Sequence, residues 1–179
     1  MKVHDSPLSL GLTDAMRLRR AFGTFATGVT VITTGEPTPH AMTANSFTSV
    51  SLDPPLLLVC VDRNALMHRY LSESSFFGVS VLSADQETAA RHFANRLRTL
   101  GLAQFDQVDW RPGDLTGVPL LSGTLAEFEC ETWRSYDGGD HTIFVGRVLS
   151  VDRPTDLDPL LVAQGRFRTV TPDWYEVPS

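Results

Sequence analysis

Residues 40–64 read HAMTANSFTSVSLDPPLLLVCVDRN, and this stretch decides the fold class. Its first half predicts one extended segment from His40 to Leu52. That segment ends at Asp53-Pro54-Pro55, because two prolines remove two backbone donors and stop sheet pairing. The next run, Leu56–Val61, is apolar without interruption, which is typical of a strand buried on both faces.

Further strands are predicted on both sides of this stretch. Glu127, Glu129 and Glu131 alternate with apolar residues, so that strand has one polar and one apolar face. It continues through the hairpin turn Asp137-Gly138-Gly139-Asp140 into a partner strand. The predicted strands outside the opening stretch are Val29–Thr34, Phe76–Leu82, Thr124–Tyr136, Thr142–Val151 and Arg166–Thr169.

A small number of helices accompanies these strands. Thr13 is a suitable N-cap for a helix over 14–26, and Ser83 with Gln86 forms a capping-box pattern that opens a helix to Asn95. The apolar face of the first helix would hold Leu18, Phe22 and Phe25. Shorter helical segments are predicted at 64–71 and 157–164, and 98–122 is expected to be mostly loop, forming a lid or an edge cover.

These elements amount to about six or seven strands, mostly in hairpins, with two or three helices. The expected fold is therefore mostly β with peripheral helices, an antiparallel barrel rather than a doubly wound parallel sheet. The sequence contains no GxGxxG after a strand, no P-loop, no HExxH and no GxSxG, so neither a Rossmann dinucleotide site nor a serine hydrolase is indicated.

Composition restricts the function classes further. The formal net charge is −6, from 15 basic and 21 acidic residues, which disfavours nucleic acid and anionic membranes as partners. The two cysteines, Cys60 and Cys130, lie far apart without a CxxC, so no metal site is expected. The first 20 residues lack the apolar region of a leader peptide, and no run of 18 apolar residues occurs. We expect a cytoplasmic protein with a loose arm over 1–12 and one domain over 13–179.

Small polar side chains are concentrated in the second half of the extended segment. Six of the nine residues from 43 to 51 are Ser, Thr or Asn. A strand of small polar residues lets its backbone approach a flat ligand with hydrogen-bonding edges, and the isoalloxazine ring of a flavin is such a ligand. A solvated edge strand with Ser and Thr on its outer face explains the composition equally well.

Several spaced blocks resemble one known family. The blocks LRRAFGTFATGVTVITT, MTANSFTSVSLDPPLLLVCVDR, FFGVSVLS, RHFANR and GGDHTIFVGRVLSV are similar, in this order, to the flavin reductase-like, FMN-binding split-barrel family. The resemblance implies an antiparallel split β-barrel, usually a homodimer with flavin near the subunit interface. It further implies reduction of FMN or FAD by NADH or NADPH, with the reduced flavin passing to a partner monooxygenase.

The resemblance also assigns flavin-binding residues. Thr43, Ala44, Asn45 and Ser46 would contact the isoalloxazine edge and the ribityl chain, with Ser49 and Ser51 following on the same strand. The ribityl and phosphate side would be lined by Cys60, Val61, Asp62, Arg63 and Asn64, and by Phe93 and Arg96 of the block RHFANR.

Arg96 would pair with the flavin phosphate, although an exposed Arg at a helix C-terminus is the other reading. Asn95 stands where the family usually has Gly, which affects the local backbone. His141 would lie beside the nicotinamide as the candidate catalytic residue, the alternative being a surface histidine on a hairpin. Arg166 and Arg168 would contact the pyridine nucleotide or simply form a charged edge strand.

Three other functions fit the same barrel. One is an oxidase acting on pyridoxamine phosphate or a related amine, but the chain contains a single lysine and is acidic overall. Another is a non-catalytic flavin-binding or electron-transfer protein. The third is a ligand-binding barrel without flavin. Turnover of a reduced nicotinamide in the presence of flavin would separate the reductase from all three.

Overall fold

The computed structural model describes residues 12–35 and 38–170, so the expected arm over 1–12 lies almost entirely outside the described residues. Three α-helices are present there: α1 (Leu12–Phe22), α2 (Leu66–Glu73) and α3 (Glu87–Ala94). The strands are β1 (Thr27–Gly28), β2 (Thr30–Thr34), β3 (His40–Ala44), β4 (Thr48–Leu52), β5 (Pro55–Asp62), β6 (Phe76–Val81), β7 (Trp110–Pro112), β8 (Pro119–Leu121), β9 (Ala126–Gly138), β10 (His141–Asp152), β11 (Leu161–Ala163) and β12 (Arg166–Arg168).

The main sheet has seven strands in the order β3-β2-β6-β9-β10-β5-β4, and all its pairings are antiparallel. The mostly β, antiparallel prediction is confirmed, and the five strands predicted outside residues 40–64 lie within two residues of their observed bounds. The long hairpin β9–β10 turns at Gly139 and Asp140, where Gly139 has φ +80°, a value that favours glycine.

The segment predicted to be extended from His40 to Leu52 forms two strands on opposite edges of this sheet. β3 and β4 are joined by only three residues, Asn45 to Phe47. Those residues span at most about 14 Å, whereas the edges of a flat seven-stranded sheet would lie about 29 Å apart. The sheet therefore curls until its two edge strands approach each other. The hydroxyl of Ser46 fixes the connection, since it donates to the Cys60 carbonyl at 2.8 Å and accepts from the Cys60 N–H at 3.1 Å.

Two hydrophobic clusters lie on opposite faces of the sheet, because side chains alternate along each strand. In β2, Ile32 belongs to the first cluster with Phe77 and Phe144, and Val31 belongs to the second with Phe93. Both faces of β2 are buried. The prediction that Leu56–Val61 is buried on both faces is only partly correct, since Leu58 and Cys60 are half-buried in this chain.

Differences from the sequence prediction have local causes. The first helix begins at Leu12, so Thr13 lies inside it, and it ends at Phe22 rather than at residue 26. Its predicted apolar face is uncovered in this chain: Leu18, Phe22 and Phe25 are 40, 70 and 77% exposed. The prediction of a helical segment over 157–164 is wrong, because residues 161–163 form strand β11, which lies between β1 and β12 in a separate three-stranded sheet.

The capping box at Ser83 and Gln86 is confirmed, and it opens a short 3-10 turn that leads into α3. Helix α2 begins two residues later than predicted, because the Asp62 carboxylate accepts the N–H of Asn64 and holds that residue in a turn. Residues 98–122 are mostly loop, as predicted, and contain the short hairpin β7–β8.

The hairpin β7–β8 and its loop cover the polar face of β9. Glu127 and Glu129 share that face, as predicted, but they are only 4 and 3% exposed. Glu127 accepts from the Arg111 guanidinium at 2.6 Å, and Glu129 accepts from the N–H of Thr116 at 2.7 Å and from its hydroxyl at 2.6 Å. These carboxylates attach residues 111–118 to the sheet. No helix in the described part of the chain is long and apolar enough to cross a bilayer.

Candidate functional site

Strand β3 has one side without a strand neighbour, because it lies at the edge of the main sheet. Peptide groups of an antiparallel strand point alternately towards one side and the other. The N–H and C=O of Ala41 point away from β2, since they bond to Gln104 and Arg98 instead. Thr43, two residues on, must direct its own N–H and C=O to the same open side. No side chain or loop among the described residues bonds to these two groups.

Two side chains from the long loop cover the first part of this edge. Gln104, fully buried, accepts from the Ala41 N–H at 2.9 Å and donates to the carbonyls of Pro39 at 2.9 Å and Gly101 at 2.7 Å. Arg98 donates to the Ala41 carbonyl. The expected edge cover over 98–122 is thus present at Ala41, and it stops before Thr43.

A groove of about 360 Å³ opens along the edge beyond this cover. It lies between the start of α2 and the end of α3, which pack on opposite faces of β3. Its lining combines apolar side chains with polar and charged ones. The lining residues are His40, Met42, Thr43, Asn64, Ala65, Leu66, Met67, Phe93, Ala94, Arg96, Arg98 and Leu100.

Two guanidinium groups, those of Arg96 and Arg98, line the groove. Neither Arg96 nor Arg98 forms an ion pair with a described carboxylate. The N-cap residue of α2 is Ala65, whose side chain cannot accept a hydrogen bond from the first N–H groups of the helix. Ala65 and Leu66 line the groove, so this helix N-terminus lies beside it. A helix N-terminus and two guanidinium groups together favour an anionic ligand such as a phosphate.

His40 also lines the groove and lies near Arg98. Its ring is buried and stacks on Tyr70 with centroids 4.8 Å apart. Burial, with the Arg98 charge as a second cause, lowers the pKa of His40 to about 4. His40 is therefore neutral at pH 7 and adds no charge to the groove.

Asp62 and His141 lie opposite each other on β5 and β10, close to the groove end occupied by Asn64. The N–H of Asn64 holds the pKa of Asp62 below its usual range, and the charges of His141 and Arg96 act in the same direction. The Nδ1 atom of His141 lies 2.7 Å from an Asp140 carboxylate oxygen. His141, half-buried, is oriented by its neighbour at the start of β10.

The other predicted flavin residues do not line this groove. Ala44 and Val61 are buried in the first hydrophobic cluster, and Arg63 pairs with Asp137 at 3.2 Å on the surface. Burial raises the pKa of the Cys60 thiol, so this thiol is a poor nucleophile. Ser49 and Ser51 are on β4, at the opposite edge of the sheet, where the Ser51 hydroxyl accepts from the Asp53 N–H at 3.2 Å.

Asn45 lines a second cavity of about 350 Å³, formed with α1 and the β11–β12 turn. Its amide donates to the Thr27 hydroxyl at 3.2 Å. Arg166 and Arg168 are exposed on β12, outside the residues that line either cavity. Their predicted role in nicotinamide binding stays a prediction.

The structure thus gathers four sequence-predicted residues in one groove: Thr43, Asn64, Phe93 and Arg96. The ring of Phe93 is almost fully buried and forms part of the wall. Sequence reasoning missed His40, Arg98 and Gln104. These three residues have no pattern of their own, and they become relevant only when the loop after α3 returns to the edge of β3.

Comparisons with known proteins identify the family of this chain. The family model named flavin reductase like domain matches residues 22–171. An NADH-dependent FAD reductase from Streptomyces globisporus is 53% identical over 160 residues, which cover 89% of this chain and 88% of that protein. The FMN reductase (NADH) SmoA from Agrobacterium fabrum is 44% identical over 158 residues, covering 88% and 87%.

Solved structures are similar as well. BorF, the flavin reductase component of a bacterial two-component tryptophan halogenase, superposes with a TM-score of 0.85 at 55% identity, covering 89% of this chain and all of that chain. The NADH:FAD oxidoreductase of Streptomyces globisporus C-1027, solved with NAD and FAD fragments, gives a TM-score of 0.85 at 51% identity, covering 92% and 97%. The chain therefore belongs to the flavin reductase like domain family.

Proposed function

We propose that this protein is a flavin reductase that uses NADH to reduce FMN or FAD and then releases the reduced flavin to a partner monooxygenase. The observation that carries the proposal is the unpartnered edge of β3 at Thr43, which opens into a groove with two unpaired arginines. Two of the named relatives are NADH-dependent reductases, and the similar structure BorF is the flavin reductase component of a two-component tryptophan halogenase.

The chemistry of the groove fits a flavin. The free N–H and C=O of Thr43 match the alternating acceptors and donors on the pyrimidine edge of an isoalloxazine ring. Met42 and the exposed Leu66 supply apolar surface for the ring system, above the buried side chains of Met67 and Phe93. Arg96 and the N-terminus of α2 would bind the phosphate.

When bound, the flavin accepts a hydride from the reduced nicotinamide, and the cofactors supply the reactive groups themselves. The protein's part is to hold the two molecules in position. We assign the N–H of Thr43 to stabilise the negative charge that develops on the flavin pyrimidine, and His141 to orient the nicotinamide. His141 suits this role because Asp140 fixes one ring nitrogen at 2.7 Å and the side chain remains partly exposed.

We further propose a split β-barrel that functions as a homodimer. The short β3–β4 connection and the Ser46–Cys60 hydrogen bonds support the barrel, because they bring the two edges of the curled sheet together. The uncovered apolar residues support the dimer. Phe22 and Phe25 are 70 and 77% exposed in the single chain, and half-buried Leu58 and Cys60 lie on the outer face of β5.

Steady-state kinetics test the function directly. The purified protein should consume NADH in air only when FMN or FAD is added, and NADPH should be the poorer donor. A protein that retains flavin but consumes no NADH would be a non-catalytic flavin protein. Consumption of an amine with release of hydrogen peroxide would identify the oxidase, and the reductase assignment would be wrong in both cases.

A further inference from the structure

Arg98 is a half-buried cation without a carboxylate partner among residues 12–35 and 38–170. Its guanidinium lies over the ring of Phe93 at 5.8 Å and lines the groove described above. Burying a charge costs free energy unless that charge is paired. Gln104, a neutral side chain, bonds to the same carbonyl edge, so covering β3 does not by itself require a cation. Arg98 is held instead by hydrogen bonds, which its guanidinium donates to two backbone carbonyls and, at 3.4 Å, to the Gln104 side-chain oxygen.

The bonds of Arg98 define the turn that contains Arg96. One guanidinium nitrogen donates to the Asn95 carbonyl at 2.8 Å, and another donates to the Ala41 carbonyl on β3. The side chain of Asn95 closes the turn from the other side, because its oxygen accepts from the Leu97 N–H at 2.9 Å. The backbone on both sides of Arg96 is thereby attached to the edge of the sheet.

Arg96 itself has no such attachment. Its side chain is exposed, lines the groove and forms no hydrogen bond or ion pair with a described residue. An unattached guanidinium on a free loop would lose side-chain and backbone entropy on binding a phosphate. A loop that is already fixed loses less and binds more tightly.

We propose that Arg98 is a positioning residue for phosphorylated flavins, which it serves by fixing the 95–98 turn so that Arg96 is held at the phosphate end of the groove. This inference rests on the proposed function, since it takes the ligand to be a flavin. It makes Arg98 a determinant of the preference for FMN and FAD over riboflavin, which has the same ring and ribityl chain without the phosphate.

The test compares the dissociation constants of FMN and riboflavin, measured by quenching of flavin fluorescence at fixed ionic strength. The variants are Arg98→Met, Arg98→Lys and, as a control, Arg69→Met, which removes an equal charge from the exposed face of α2. In Arg98→Met the preference for FMN should fall about tenfold. Arg98→Lys should lose nearly as much, because one ammonium does not reproduce the fork that bridges Ala41 and Asn95. Arg69→Met should change the preference less than twofold.

A double-mutant cycle with Arg96→Met tests whether Arg98 acts through Arg96. In the Arg96→Met background, Arg98→Met should weaken FMN binding less than twofold further. Independent effects that multiply would overturn the proposal, because Arg98 would then act through its own charge. Restoration of the preference by Arg98→Lys would overturn it for the same reason. Equal losses for FMN and riboflavin would show only a structural role.

The same titrations separate this inference from the proposed function. A wild-type protein that binds neither flavin refutes the function. A wild-type protein that binds FMN and riboflavin equally well leaves the function in place and refutes the phosphate assignment. If Arg98→Met does not fold, Arg98→Lys retains the stem and the charge and gives the same comparison.

Discussion

The N–H of Thr43 can be removed without breaking the pairing of β3 with β2, because proline is tolerated on an edge strand where its nitrogen faces away from the neighbouring strand. The Thr43→Pro variant removes that donor and also the side-chain hydroxyl, which donates to the Ala90 carbonyl at 2.7 Å. The Thr43→Val variant removes the hydroxyl and keeps the N–H. The comparison of the two variants isolates the peptide group that we assign to the flavin.

The magnitudes follow from one hydrogen bond each. Loss of the bond to Ala90 should lower the free energy of unfolding by about 1 kcal/mol in both variants. Loss of the outward N–H of Thr43 should leave stability nearly the same, because that group has no protein partner. It should weaken flavin binding by a further 1 kcal/mol or so, which corresponds to roughly fivefold in the dissociation constant.

Urea unfolding and flavin fluorescence titration measure these two quantities. Thr43→Pro and Thr43→Val should unfold at similar urea concentrations, and only Thr43→Pro should show the additional loss of flavin affinity. If Thr43→Pro is less stable than Thr43→Val by more than about 2 kcal/mol, its N–H was paired inside the sheet. The geometry of the open edge would then be wrong. Equal flavin affinities would refute the assignment of this N–H to the ring.

Three further predictions concern stability. Glu129→Ala should lower the free energy of unfolding by about 2–4 kcal/mol in urea, because two N–H groups and the hydroxyl of Thr116 lose their buried acceptor; Glu129→Gln should lose less, and equal losses would contradict the role of the carboxylate. Gly146→Ala should cost about 1–3 kcal/mol, because the added methyl group would overlap the buried ring of Phe77; an unchanged thermal midpoint would show that the ring moves freely. The pKa of His40 is about 4 in the folded protein, against 6.5 for a solvent-exposed histidine, so the unfolded chain binds more protons between these values. Stability should therefore decrease as pH falls from 6.5 to 4, by up to about 3 kcal/mol, and His40→Gln should flatten that part of the pH profile; a histidine resonance titrating near pH 6.5 at this position would refute the prediction.

The strands were predictable because their signals are local. Val29–Thr34 is β-branched, Phe76–Leu82 is apolar, and two glycines mark the turn of the long hairpin. Each of these patterns holds within a few residues, and each strand was found close to its predicted place. The helical interpretation of 157–164 failed for the opposite reason. Its apolar residues form a strand only because β1 and β12 are available as partners. β1 is distant in sequence, and β12 is only three residues long, so neither leaves a clear local signal.

The candidate site was predictable in part. Thr43 and Arg96 were identified because they lie in sequence blocks that resemble the flavin reductase-like family, and both line the groove. Arg98 and Gln104 were missed, because their function depends on where a long loop returns to the sheet, and loop paths leave no periodic signal. The burial of Glu127 and Glu129 was missed in the same way. An alternating polar face resembles a solvated one until the hairpin that covers it is known.

The position of the groove at a strand edge has a consequence for turnover. A molecule held by one exposed peptide unit and a few side chains of the groove can leave without any rearrangement of the sheet. None of the hydrogen bonds between the strands depends on it. Release of the product then requires only that its own contacts with the protein break. This arrangement suits the proposed reductase, whose product would diffuse to a second protein, because a covalent or fully enclosed attachment would slow that release.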